Sequence, residues 1–80
     1  MSFTKPQAKR LTEKLSPRER QILGLMGEGL ASKQIADKVL RADGRPVAES
    51  TVLTYRARIF SKLGVRSIGP AIRVATLAGL

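Results

Sequence analysis

The apolar residues of this chain fall into short runs at helical spacing, each opened by a capping residue or closed by a glycine. The first ordered run follows Ser16-Pro17-Arg18-Glu19. That stretch is a capping box, with serine at N-cap, proline at N1 and glutamate at N3. Ile22, Leu23, Leu25 and Met26 then lie on one helical face, and Gly29 closes the run, which predicts a helix over about 17–28. Ser32 is the expected N-cap of a second helix over about 33–41, with Ile35, Ala36, Val39 and Leu40 as its stripe. Asp43-Gly44 and Pro46 stop helical propagation, so 41–48 reads as a loop or a small hairpin. A third helix spans about 49–63, with Val52, Ile59, Phe60 and Leu63 on one face and Gly64 at its end. Ser67 opens a fourth over about 68–78, where Pro70 is tolerated in the first turn. Residues 1–15 are basic and poorly periodic, and read as a flexible arm with room for a helical turn after Pro6. The fold class is all-α, with four helices in a domain over 16–80.

A chain of 80 residues holds one small domain with a thin core. It contains no cysteine and no histidine, so disulfides, thiolate or imidazole metal sites and histidine acid–base chemistry are excluded. Its six carboxylates are scattered along the chain with no glycine-rich phosphate loop, which argues against an enzyme. No cofactor is implied. Fifteen lysines and arginines against six acidic residues give a net charge of +9. An excess of that size favours a polyanion, either nucleic acid or an anionic membrane surface. The apolar last helix lacks a cationic stripe, no run is long enough to span a bilayer, and the N-terminus has no signal-peptide core. The expectation is a cytoplasmic protein without membrane attachment.

The third helix carries more than a core stripe. Ser50, Leu53, Thr54 and Ala57 share a second face by i, i+3, i+4, i+7 spacing. That face is short-chained and uncharged, and Arg56, Arg58 and Lys62 flank it. A helix of this kind enters a DNA major groove closely, with cations on phosphates and hydroxyls or methyls against base edges. The plainer reading is the wet side of a bundle helix. The helix–turn–helix order and the exposed leucine at 53 favour the groove.

These residues also carry a resemblance. Leu15, Ser16, Arg18 and Glu19, then Gly29-Leu30, Lys33, Ile35 and Ala36, then Thr51-Val52 and Lys62-Leu63-Gly64-Val65 follow in order the pattern of LuxR-type (GerE-like) DNA-binding domains. NarL/FixJ-type response regulators end in the same domain. The match covers about residues 15–80. The resemblance implies a helix–turn–helix in helices two and three, major-groove binding of double-stranded DNA by helix three, and homodimerisation through helix four. The family usually joins a sensor or receiver domain to this one, so the chain resembles its stand-alone members. Several extra residues centred on Arg41 to Pro46 lengthen the turn, where Arg41 and Arg45 are positioned to add phosphate contacts. Ala48 replaces a frequent serine cap, which leaves Glu49 or Ser50 to cap the third helix. Leu53 stands where the family often has lysine, Ala57 where it has a polar or basic residue, and Tyr55 where it has histidine.

The expected base-facing residues are therefore Ser50, Leu53, Thr54 and Ala57. The expected phosphate contacts are Ser32, Lys33, Thr51, Tyr55, Arg56, Arg58 and Lys62, with Lys62 alternatively a cation at the helix C-terminus and Ser32 alternatively a plain cap. Val74, Leu77, Ala78 and Leu80 exceed the needs of so small a core and are assigned to a two-fold contact, the alternative being packing against helix one. The leading reading is a dimeric, sequence-specific transcriptional regulator; if it activates, RNA polymerase is a further partner. The competing reading is an interaction module that partners or antagonises a related regulator and has lost base reading. A sigma-factor region-four-like domain shares the "SPRER" and "QIA" patterns, but the Lys62 to Val65 ending and the fourth helix favour the LuxR type.

Overall fold

The structure is a computed structural model that describes residues 3–80. Among the described residues it is all-α, with five helices: α1 (Lys5–Glu13), α2 (Pro17–Gly27), α3 (Ser32–Lys38), α4 (Glu49–Leu63) and α5 (Ile68–Ala78). The helix absent from the four-helix expectation is α1. Residues 1–15 are not a flexible arm in their described part. The first two lie outside the described residues.

The reason is local and tertiary together. Thr4 caps α1 reciprocally with Gln7: the Gln7 N–H donates to Thr4 Oγ1 at 3.3 Å, and the Thr4 N–H donates to Gln7 Oε1 at 3.4 Å. Ala8, Leu11, Thr12 and Leu15 share one face, and Ala8 has no exposed surface. This stripe packs against α5. Thr12 is buried there because its hydroxyl donates to the Lys9 carbonyl at 3.0 Å.

The core joins Ile22, Leu23 and Met26 of α2 to Ile35 and Ala36 of α3, Val52, Ile59 and Leu63 of α4, and Ala71, Val74 and Ala75 of α5. The capping box of α2 forms as the sequence requires. The Ser16 N–H donates to Glu19 Oε1 at 2.7 Å, and the Glu19 N–H donates to Ser16 Oγ at 3.1 Å. Other expected caps differ. Ala31, not Ser32, holds the N-cap position of α3, and its N–H donates to Gln34 Oε1 at 2.9 Å. Ala48 holds that of α4 with no side-chain hydrogen bond, so neither Glu49 nor Ser50 caps it. Ser67 occupies the N-cap of α5 without a side-chain bond.

Helix α3 stops at Lys38 rather than 41 because Val39 turns extended. Residues 39–47 form a small hairpin, closed by Val47 N–H to Val39 O at 2.9 Å and Arg41 N–H to Arg45 O at 2.7 Å. The Gly44 N–H donates to Arg41 O at 2.9 Å, and Gly44 has φ +83. This is the three-residue hairpin loop in which a left-handed residue follows a tight turn, so glycine belongs there. Asp43 secures the tip by accepting from the Arg45 N–H and pairing with Arg41 at 3.2 Å. Arg18 reaches from α2 and donates to the Leu40 carbonyl at 2.9 Å, tying down the hairpin base.

A charge placed at Ala8 tests the packing of α1. Ala8→Glu is expected to lower unfolding stability by roughly 3 kcal/mol, because the carboxylate enters a closed apolar contact. Urea titration reads this directly, and an unchanged midpoint would return residues 4–13 to the status of a loose arm.

Candidate nucleic-acid interface

Helix α4 is anchored on one side and bare on the other. Val52, Ile59 and Leu63 are buried, while Ser50, Leu53, Thr54 and Ala57 are exposed. At about 100° per residue the two sets point in nearly opposite directions, so burying the first presents the second to solvent. The helix ends at Gly64, whose φ of +71 supplies the left-handed C-cap. Helix α3 packs across α4, and the hairpin leads straight into its N-terminal turn.

All four expected base-facing residues lie together on this bare face. Leu53 is 47% exposed, a large apolar side chain held in water. Thr54 is less available than its residue type suggests. Its hydroxyl donates to the Ser50 carbonyl at 3.0 Å, so its proton is committed inside the helix.

The expected phosphate contacts separate into distinct environments. Arg58 is exposed, and its guanidinium carbon lies 5.8 Å from the centroid of the Tyr55 ring. Arg56 is half-buried, 5.2 Å from the centroid of Phe60. It lines a cleft of about 260 Å³ with Ser32, Leu30 and Ile68, on the side of α4 away from Arg58. Stacking on a ring of the same helix limits where each guanidinium swings. Lys33 is exposed in the first turn of α3, Ser32 is half-buried beside it, and Thr51 is half-buried.

Lys62 is engaged within the protein. Its ammonium donates to Glu19 Oε1 at 2.7 Å, the same oxygen that accepts from the Ser16 N–H. Glu19 is nearly fully buried, while the Lys62 side chain is 43% exposed. Sequence reasoning gave Glu19 its cap but missed this partner, which lies 43 positions away. Lysine's hydrogen bond, then the Ser16 backbone, hold the Glu19 carboxyl below its ordinary range against the opposing effect of burial.

The proposed dimer residues need revision. Val74 has no exposed surface and belongs to the core, so it is unavailable to a partner. Leu77 and Ala78 are half-buried and pack against that core. Leu80 is exposed, bordering a shallow groove with Pro17, Arg20 and Leu25 of α2. The open face of α5 instead carries Gly69, Arg73 and Thr76, with half-buried Ile72 and Leu77 at its edges. Packing by α1 accounts for much of the apolar excess in α5.

Glu19→Gln tests the link between α2 and α4. The folded carboxyl titrates lower than the unfolded one, so its contribution is complete above the ordinary value near 4.5 and is lost as pH falls through the depressed value. The variant is expected to lose about 1–2 kcal/mol at neutral pH and to show a shallower acid limb in stability against pH. An unaltered acid limb would mean that the pair contributes nothing to folding.

Comparison with known proteins agrees with this architecture. Residues 13–75 match the bacterial regulatory proteins of the luxR family. The chain is 36% identical over 72 residues to Nodulation protein W of Bradyrhizobium diazoefficiens, covering 90% of this chain and 29% of that protein. It is 42% identical over 62 residues to the DNA-binding transcriptional activator DevR/DosR of Mycobacterium tuberculosis, covering 78% and 26%. It is 38% identical over 66 residues to the transcriptional regulatory protein FixJ of Azorhizobium caulinodans, covering 82% and 28%. The chain thus spans less than a third of the length of these curated relatives. The family is one of regulators rather than enzymes, and α1 lies almost wholly outside the matched segment. The helix–turn–helix of α3 and α4, with most of the domain around it, belongs to the LuxR family of bacterial regulatory proteins.

Proposed function

We propose that this domain is a sequence-specific DNA-binding module of a transcriptional regulator, acting in the cytoplasm. Helix α4 enters the major groove. The observation that carries this reading is the bare face of α4, opposite its core stripe, with uncharged side chains along its centre. Uncharged side chains of modest length let the helix backbone come close to the base edges. The family match and the named functions of similar proteins support DNA as the partner. The net charge of +9 supplies the long-range attraction.

Roles divide by environment. Arg58 is the leading phosphate contact because it is exposed, stacked on Tyr55 and beside the bare face. Lys33, with Ser32, lies at the start of α3, and Arg45 extends the basic surface at the hairpin tip. Arg56 and Thr51 are supporting contacts at the margin, and the exposed methylenes of Lys62 end in a group already paired. The domain dimerises on the open face of α5, through Ile72, Arg73 and Thr76, rather than through Val74. Two copies then present two copies of α4 to a roughly palindromic site.

A second reading is an interaction module that binds a related regulator in place of DNA. Leu40, 50% exposed, and Leu53 favour it, since both are large apolar groups in water. Fluorescence anisotropy separates the two. A labelled duplex from upstream of this protein's own gene is titrated beside a scrambled duplex at two salt concentrations. Tighter binding to the upstream duplex, weakening with salt, is expected. No binding to either at low salt would exclude the DNA reading. Arg58→Ala is expected to weaken both duplexes about equally and to reduce the salt slope by about one, because a phosphate contact carries no sequence information. A loss confined to one sequence would instead make Arg58 a base reader.

A further inference from the structure

The bare face of α4 is unusual in what it cannot do. The strongest base readers are arginine or lysine on guanine O6 and N7, and asparagine or glutamine on adenine N6 and N7. Positions 50, 53, 54 and 57 offer none of these. The Thr54 hydroxyl donates its hydrogen bond to the Ser50 carbonyl at 3.0 Å, so toward a base it offers an acceptor oxygen and a methyl. The centre of the face is carbon: Leu53, which projects nearly half its surface into water, and Ala57 one turn on. In the major groove the matching carbon group is the C5-methyl of thymine.

We propose that α4 selects its DNA by thymine C5-methyl groups packed against Leu53 and Ala57, rather than by hydrogen-bond donors to guanine. This rests on the DNA-binding reading above. Leu53 supplies most of the contact, because it has the larger surface to remove from water. Ala57 sets the close approach that lets the leucine reach the groove floor. The flanking Arg58 orients the helix on the backbone and leaves selection to the apolar pair.

The test replaces one methyl at a time. Duplexes are selected from a random pool with the full chain, and the enriched site is synthesised with single thymine-to-deoxyuridine replacements. Deoxyuridine keeps every pairing group and lacks only the C5-methyl. At one or two positions in each half-site, binding by anisotropy is expected to weaken about fourfold, the worth of one buried methyl-sized group. In Leu53→Ala the penalty is expected to disappear at the position that Leu53 covers. Leu53 is exposed, so this variant should keep the parent's thermal midpoint, which confirms that it remains folded. An enriched site at which every deoxyuridine is neutral would overturn methyl reading and leave DNA binding standing. A penalty that persists unchanged in Leu53→Ala would remove Leu53 as the reader. A pool that yields no enriched sequence, with no binding at low salt, would overturn both and favour the protein-partner reading.

Discussion

One carboxylate oxygen fixes the relation between two helices. Glu19 Oε1 accepts from the Ser16 N–H at the start of α2 and from the Lys62 ammonium at the end of α4, both at 2.7 Å. A buried carboxylate needs hydrogen bonds and a countercharge, and here each comes from a different helix. Ser16 needs Glu19 to satisfy its own N–H, and the Lys62 hydrogen bond, then the Ser16 backbone, favour the ionised form of Glu19 against the effect of burial. The last turn of α4 is thereby pinned to the first turn of α2. Val52 and Ile59 hold the rest of α4 against the core, so rotation about its axis is blocked along its length.

That fixed rotation gives α4 its exposed surface. The buried positions and the bare positions share one helix and occupy opposite sides of it, so neither set is free to move without the other. Cations stand at the margins in three different states: Arg58 in water against Tyr55, Arg56 half-buried against Phe60, and Lys62 paired with Glu19. Identical charges in the sequence therefore have unequal access to a phosphate. The hairpin adds a second fixed object at the α4 N-terminus. Its first strand is held by Val39 in the core and by the Arg18 contact to the Leu40 carbonyl, and the second strand is hydrogen-bonded to the first, so Arg45 is carried on a braced support.

The sequence made most of this arrangement legible, because capping residues and helical spacing are local signals. The α2 capping box, the bounds of α4 and α5, and the core positions Ile22, Ile35, Val52 and Ile59 all follow from neighbours within one or two turns. Helix α1 carries its own local signals, a Thr4–Gln7 capping box with Pro6 in the first turn and Ala8, Leu11 and Leu15 at helical spacing, but its basic outer face reads as a solvated tail. Val74 depends on α1: without that helix α5 has apolar surface to spare, and with it Val74 belongs to the core. The Lys62–Glu19 pair was illegible because the partners meet only through tertiary packing. The Thr54 bond to Ser50 is local, and the four-residue spacing was a sufficient signal for it.

The central claim is that the face of α4 opposite the core is the surface that meets DNA. An NMR titration of the isotopically labelled chain with an enriched duplex tests it most directly, following backbone amides together with the methyls of Leu53, Thr54 and Ala57. The largest shifts are expected on residues 50–58 of α4, with smaller ones at Lys33 and the hairpin, and none on the outer face of α1. Shifts concentrated on α1 or on the open face of α5, with the Leu53 and Ala57 methyls unmoved, would contradict it.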